Sequence, residues 1–349
     1  VTVIQAGEMK NISRRKFLTE ASLGLGAVIL AGLSGCKAGT SQPIPPTQRI
    51  NTNISSTDTV QVPQDSTNNS TVEPTPTLGL PHLAVARNGE PELMVRQVIE
   101  ALGGIDQFVF SNANVIIKPN ICVAYNTYEF AATTNPWVVG ALVKLCFEAG
   151  AASVKVMDNP FGGTAEEAYK ISGISDAVQA AGGEMVYMVD RKFVDTSIPN
   201  ATSLKKTAIY QDILDADVLI NVPIAKVHGL AKLTLGMKNL MGTIQKREIL
   251  HTKIGNNLAD LAGFLRPELT IIDGIRVLME NGPTGGSLDY VKQMDTIIAS
   301  RDIVAADSYA ASTLFGMDPL SLSYIEAGVS AGLGSADLQQ LKIEEFSNN

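Results

Sequence analysis

A mainly parallel, mixed sheet flanked by helices, an α/β architecture with length enough for two lobes around a cleft, is the fold class this sequence predicts. Three observations predict it. From Pro81 onward, short β-branched runs alternate with longer helical stretches, the order expected of repeated βα units. Most strand candidates read as nearly continuous Val, Ile and Leu, as strands covered on both faces do. Apolar residues make up 45% of the chain but aromatics only 5%, a balance that suits layered packing better than an all-β sandwich.

The elements follow in order. A strand at residues 83–86 precedes a helix at 91–102, and a Val-Ile-Ile strand at 115–118 precedes a helix at 136–149. That second helix is the best marked. Asn135 suits the N-cap, Pro136 the first helical position and Gly150 the C-terminal cap. Strands are expected at 153–157, 184–189, 206–210, 218–222, 269–272 and 296–299, and helices at 174–181, 258–265, 303–315 and 322–327.

Two segments precede this body. Ser13-Arg14-Arg15-Lys16-Phe17-Leu18, followed by a short apolar run, has the pattern of a twin-arginine export signal. The run ends in Leu33-Ser34-Gly35-Cys36, which reads as a lipobox whose cysteine carries the lipid of the mature protein. A spanning helix needs roughly 20 apolar residues. The run from Ala21 to Gly35 is shorter and holds four glycines, so an export signal is the better reading than an uncleaved anchor. Residues before Met9 read as an over-extended start. The expected organisation is a signal over 1–35, a tether over 36–80 and an α/β domain over 81–349. The tether is rich in Ser, Thr, Pro, Asn and Gln and poor in large apolar groups, too poor to offset its ordering entropy. The protein is thus expected outside the cytoplasm, delivered by the twin-arginine machinery and held to the membrane by lipid at Cys36.

The net charge is −8, and removing the signal takes away four cations and two anions, leaving −10. No basic tract offsets it, which argues against a nucleic-acid partner, since phosphate neutralisation needs clustered Lys and Arg. Besides Cys36 there are two cysteines, Cys122 and Cys146. Both sit in apolar company, where a free buried thiol is commoner than a disulfide. With no Cys-x-x-Cys, the chain has no means of ligating an iron–sulfur cluster alone.

Four strand candidates end abruptly in polar residues: Lys118-Pro119-Asn120, Asp158-Asn159-Pro160, Asn221-Val222-Pro223 and Asp273-Gly274. In open α/β sheets the ligand crevice lies beyond the carboxyl ends of the strands. Lys118, Asn120, Asp158, Asn221, Asn239 and Asp273 are therefore candidate ligand-binding residues, the competing reading being that Asp or Asn before Pro or Gly merely begins a turn. The densest chemistry lies between Asn221 and His251. Lys226 and Lys238 sit in apolar sequence, where a lysine needs a partner or sheds its proton, which suits an anionic or carbonyl-bearing substrate. His228 and His251 are candidate acid–base groups or ligands of a divalent metal. Asp307, inside an apolar helical stretch, is read as support for the site. The loop at 280–286 is read as a turn rather than an anion cradle.

Lys118-Pro119-Asn120, Thr134-Asn135-Pro136, Asp158, Asn221-Val222-Pro223-x-x-Lys226-x-His228, Lys238-Asn239-x-x-Gly242, His251, Asp273-Gly274 and Gly282-Pro283 stand in the order seen in domain-of-unknown-function family 362. From about residue 83 to its end the chain resembles that family. Many members carry ferredoxin-like cysteine clusters, and this sequence lacks them, so the resemblance implies fold and site but no cluster. The order His228, Lys238, His251 is also similar to that of the nickel-pincer lactate racemase family. That likeness would make Lys238 the tether of the organic nickel group, His251 a ligand and His228 an acid–base group, although the glycines expected around such a lysine are only partly present, as Gly236 and Gly242.

Together these readings describe an exported, lipid-anchored protein with a Lys/His/Asp cleft for a small anionic ligand, possible metal assistance included. Lys226, His228, Lys238 and His251 are its candidate catalytic groups. The alternatives are a non-catalytic solute-binding or assembly lipoprotein and a racemase-like or isomerase-like enzyme.

Overall fold

The computed structural model describes residues 79–348. The export signal with Arg14 and Arg15, the lipidation residue Cys36 and nearly all of the tether lie outside the described residues. Among the described residues, no helix is long and apolar enough to cross a membrane.

Ten strands form one mixed sheet. In chain order they are β1 (Leu83–Arg87), β2 (Asn114–Pro119), β3 (Ser153–Val156), β4 (Glu184–Met185), β7 (Val218–Val222), β8 (Ile224–His228), β9 (Lys232–Thr234), β10 (Leu269–Leu278), β11 (Val291–Ser300) and β12 (Ile343–Ser347). The intervening β5 (Phe193–Ser197) and β6 (Lys206–Tyr210) pair with each other in a separate antiparallel ribbon. Across the main sheet the order is β12-β1-β11-β10-β7-β2-β3-β4, with β8 pairing β10 and β9. The pairs β10–β7, β7–β2, β2–β3 and β3–β4 are parallel, while β11 runs antiparallel to both β1 and β10. The architecture is the α/β fold, mainly parallel and mixed, that the alternating pattern predicts.

Successive side chains of a strand point to opposite faces, and the core divides accordingly. Val115, Ile117, Val218 and Ile220 pack on one side with the helices Pro91–Ala101 and Pro136–Glu148. Ile116 and Leu219 pack on the other with Ile254–Leu265, Ile303–Phe315 and Ser323–Ser330. By the same alternation Lys118 and Asn221 fall on this second face, and they are partners in the β2–β7 register. Helix Pro136–Glu148 begins as expected, with the Asn135 side chain accepting from the Trp137 N–H at 3.0 Å.

Several elements differ from the expectation. β10 does not stop at Ile272 but runs to Leu278, changing parallel partner from β7 to β8. β8 was hidden because Pro223 signals a chain break, yet pairing resumes one residue later. The strand expected at 184–189 shrinks to two residues at the sheet edge, because β3 gives it only Lys155 and Val156 to pair with. Cys122 and Cys146 are free and buried, and burial pushes the Cys146 thiol up to about 12.

Asn135→Ala removes the cap of the Pro136–Glu148 helix. The expected cost is about 1 kcal/mol, read as a lower chemical-denaturation midpoint with an unchanged slope.

Candidate functional site

At the carboxyl ends of β2, β3 and β7 the buried face of the sheet carries charge. Lys118 is fully buried, and its ammonium donates to Asp158 Oδ1 at 2.7 Å, to the Pro119 carbonyl at 2.9 Å and to Asn239 Oδ1 at 3.2 Å. The other Asp158 oxygen accepts the Ile121 N–H at 2.6 Å. A buried ion pair repays its desolvation only when its remaining hydrogen-bonding capacity is satisfied, and here it is. Burial pulls Lys118 below the usual lysine range, while the Asp158 carboxylate opposes that pull.

Two asparagines extend the pair. Asn239 Oδ1 also accepts from Asn120 Nδ2 at 2.9 Å, and Asn239 Nδ2 donates to Asn221 Oδ1 at 2.9 Å. Asn120 Oδ1 in turn accepts from Lys226 Nζ at 2.9 Å, and Lys226 gives a second hydrogen bond to the Ala132 carbonyl at 2.6 Å. An ammonium has donors only, so each lysine obliges its asparagine to present oxygen. The line Asp158–Lys118–Asn239–Asn120–Lys226 is therefore oriented throughout. Thr134 ties it to the sheet, accepting from the Asn120 N–H and donating to the Val222 carbonyl, both at 2.8 Å.

Lys238 and Asn239 ride on the short helix Gly236–Asn239. Asp307 holds its start, accepting the Gly236 and Met237 N–H groups at 2.6 and 2.9 Å. Two backbone donors of a helix N-terminus are thereby satisfied inside the core. A Cβ on Gly236 would lie 2.6 Å from Asp307 Oδ1, and one on Gly242 would lie 1.9 Å from Asp158 Oδ1. Only hydrogen fits at either place, which is why glycine stands before Lys238 and after Asn239.

These groups open on a cavity of about 330 Å³ lined by Lys118, Asn120, Cys122, Asp158, Lys226, His228, Lys238, Asn239, Arg247, Glu248 and His251, with Ile121, Phe161, Leu230, Met241 and Pro283 as its apolar wall. Lys238 is 8% exposed. Among the described residues it makes no side-chain hydrogen bond or ion pair. Burial, reinforced by Lys226, Arg247 and Lys118, pulls it down to about 7. The His228 and His251 rings lie 6.4 Å apart, inclined at 27°. His228 Nδ1 accepts the N–H groups of Leu230 and Ala231 at 3.1 and 3.2 Å. In a neutral ring the proton then sits on Nε2. Burial, with Lys238 and Lys226, presses His228 down to about 3, so near neutrality it is a hydrogen-bond donor rather than a base held ready. His251 is lowered too, by burial first and Lys238 second. No group of three His, Cys, Asp or Glu side chains poised for a metal occurs among the described residues.

Of the expected site residues, Lys118, Asn120, Asp158, Lys226, His228, Lys238, Asn239 and His251 share this cavity. Two do not reach it. Asn221 lies behind Asn239, its Nδ2 donating to the Gly236 carbonyl at 3.0 Å. Asp273 is not at a strand end, because β10 continues past it, and its carboxylate is taken up by the Asn135 and Ile275 N–H groups at 2.7 and 3.1 Å. Both stand behind the cavity wall, hydrogen-bonded to the backbone that frames it. Cys122, Phe161, Arg247 and Glu248 were not foreseen. Cys122 follows Lys118-Pro119-Asn120 by two residues, close enough to have been included. Arg247 and Glu248 sit in a charged run of the kind that usually marks a solvated face. The loop at 280–286 forms the expected turn, and its Pro283 carbonyl lies 3.6 Å from Cys122 Sγ.

Fold and site together define an α/β protein with a cationic cavity at the ends of parallel strands. The chain belongs to the DUF362 family, "Domain of unknown function (DUF362)", whose model matches residues 115–312. It is 30% identical over 249 residues to the thylakoid-associated protein sll1697 of Synechocystis sp. (strain ATCC 27184 / PCC 6803 / Kazusa), covering 68% of this chain and 74% of that one. The lactate racemase apoprotein from Thermoanaerobacterium thermosaccharolyticum superposes with a TM-score of 0.37 at 11% identity, over 61% of this chain and 53% of that one. At that level the likeness carries no functional argument.

Lys118→Met leaves the Asp158 carboxylate buried without its cation and should cost about 3–5 kcal/mol. The double variant Lys118→Met/Asp158→Leu should lose less than the two single losses added, as measured by urea denaturation of all four proteins.

Proposed function

We propose that this protein is exported, anchored to the membrane by lipid at Cys36, and binds a small anionic ligand in the cavity at the strand ends. One observation carries the ligand reading. Lys118, Lys226, Lys238 and Arg247 meet in one cavity against only Asp158 and Glu248, although the whole chain is acidic at −8. Asp158 is already spent on Lys118 and the Ile121 N–H. Lys226 is held by neutral oxygens and the Cys122 side chain and Lys238 by no hydrogen bond, so wherever these amines keep their protons the cavity presents positive charge to whatever enters. An anion there gains more than it would at the surface, because water does not screen the contact. Lys226, His228, Lys238 and His251 are the groups that a reaction would use. In a non-catalytic solute-binding lipoprotein the same groups would hold the ligand unchanged, and a divalent metal at His228 and His251 would add one more contact for the anion.

Lys238 gives the proposal a pH signature. Below about 7 it is an ammonium and adds to the attraction; as pH rises through about 7 it loses its proton and the attraction weakens. Calorimetric titrations with sulfate and with pyruvate, one unit on either side of that value, read this, and sulfate should bind more weakly on the alkaline side. Lys238→Ala should weaken binding about tenfold on the acidic side, or about 1.4 kcal/mol, and flatten the pH dependence. Absence of binding by both anions at both pH values would refute the ligand reading.

The export reading is supported by Arg14-Arg15, the short apolar run and the sequence ending in Cys36. Replacing Arg14 and Arg15 by lysine should leave the protein in the cytoplasm. Cys36→Ser should remove the lipid-dependent membrane association, as followed by cell fractionation and metabolic labelling with a fatty acid. Unchanged distribution of both variants would overturn it.

A further inference from the structure

We propose that Lys238 captures a small 2-oxo carboxylate as an imine, with Arg247 and Lys226 receiving the carboxylate. The inference rests on the anion-binding reading above and gives that site a chemical class of ligand. Three amines reach the cavity, and they are not equivalent. Lys118 has three hydrogen-bond acceptors and Lys226 has two, so neither offers a lone pair without breaking its network. Lys238 is 8% exposed, lines the same space and has no such partner among the described residues. A desolvated amine beside other cations is the usual form of an imine-forming lysine. Burial and the neighbouring Lys226, Arg247 and Lys118 favour its neutral, nucleophilic state near neutrality.

The rest of the cavity supplies what a 2-oxo acid needs. Arg247 is permanently charged and anchored at the wall, donating to the Pro160 carbonyl at 3.3 Å and lying over the Phe161 ring at 5.8 Å. It suits a carboxylate adjacent to the reacting carbon. His228, its Nδ1 engaged by two backbone N–H groups, offers Nε2–H to the carbonyl oxygen, the arrangement in which a neutral imidazole acts as an electrophile. In the step, the Nζ lone pair forms a bond to the carbonyl carbon, and the C=O π pair moves to oxygen, which gains a proton as nitrogen loses one. The resulting hydroxyl takes a second proton from solvent and leaves as water, the nitrogen pair closes the C=N bond, and the iminium N–H gives its proton back to solvent. Amine and ketone become imine and water, with no change of oxidation state. Ile121 and Met241 make part of the wall apolar.

The test treats the full chain with pyruvate and then with borohydride, which reduces a C=N bond to a stable amine. Intact-mass analysis and peptide mapping read the product. The expected result is one adduct, of pyruvate less water plus two hydrogens, on the peptide containing Lys238. Lys238→Arg, which keeps the charge but not the nucleophile, should bind sulfate and form no adduct. Calorimetric pyruvate binding by the native protein without an adduct, or with adducts only on other lysines, would overturn the imine and leave the anion-binding reading standing. Failure to bind either sulfate or pyruvate would overturn both.

Discussion

Burying Lys118 at the end of β2 is the constraint on which the rest of the site depends. A lysine without solvent must find an anion and further acceptors or give up its proton. Asp158 supplies the anion from the end of β3, 2.7 Å away. Asn239 supplies an amide oxygen from a separate helix, and that oxygen must be aimed. Asn221, Asn120 and Thr134 aim it, each from a different element. The cost of one buried charge is thus spread over the ends of β2, β3 and β7, the turn before the Pro136–Glu148 helix and the helix Gly236–Asn239. Segments far apart in sequence are held in one register by it.

The same network leaves Lys238 exceptional. Every acceptor within the line is already engaged, by Lys118, Lys226 or the Ile121 N–H, and the neighbouring groups outside it are mainly cationic or neutral. Asp307 fixes the backbone just before Lys238 but does not touch its amine. The result is an amine that is buried, placed and unpaired. Such placement costs stability and is retained at functional sites more often than elsewhere. An acidic chain of the DUF362 family thus gathers four cationic side chains around one interior cavity, while other lysines and arginines stay at its surface.

Part of this was legible before any fold was known. Lys118 and Asn221 stand directly after Val/Ile/Leu runs and Asp158 after Val-Lys-Val-Met, and a parallel sheet brings the ends of such strands together whatever the details of its loops. Asp273 carried the same signature and deceived, since a strand that changes partner continues through a polar residue that finds backbone N–H groups. β8 was concealed by Pro223, which interrupts a ladder locally without ending the sheet. Arg247 and Cys122 were passed over because local context makes one look solvated and the other inert. Each faces the cavity only because the turn around residues 247–253 and the segment after β2 fold over the same strand ends.

The amino-acid order by itself determined the layers, because the period of apolar residues sets which segments are strands and which are helices. It also determined which lysines lie in apolar surroundings, since their neighbours are covalently attached. Whether a given lysine is satisfied was decided only in three dimensions. Asn120 and Asn239 are two amides with near-identical chemistry in sequence, and the register of β2 against β7 makes them a bridge between Lys118 and Lys226. Lys238 is one residue from that bridge, yet it shares none of its hydrogen bonds. Neighbouring side chains on a short helix point in different directions, and that angle separates the residue that completes the network from the one left facing the cavity.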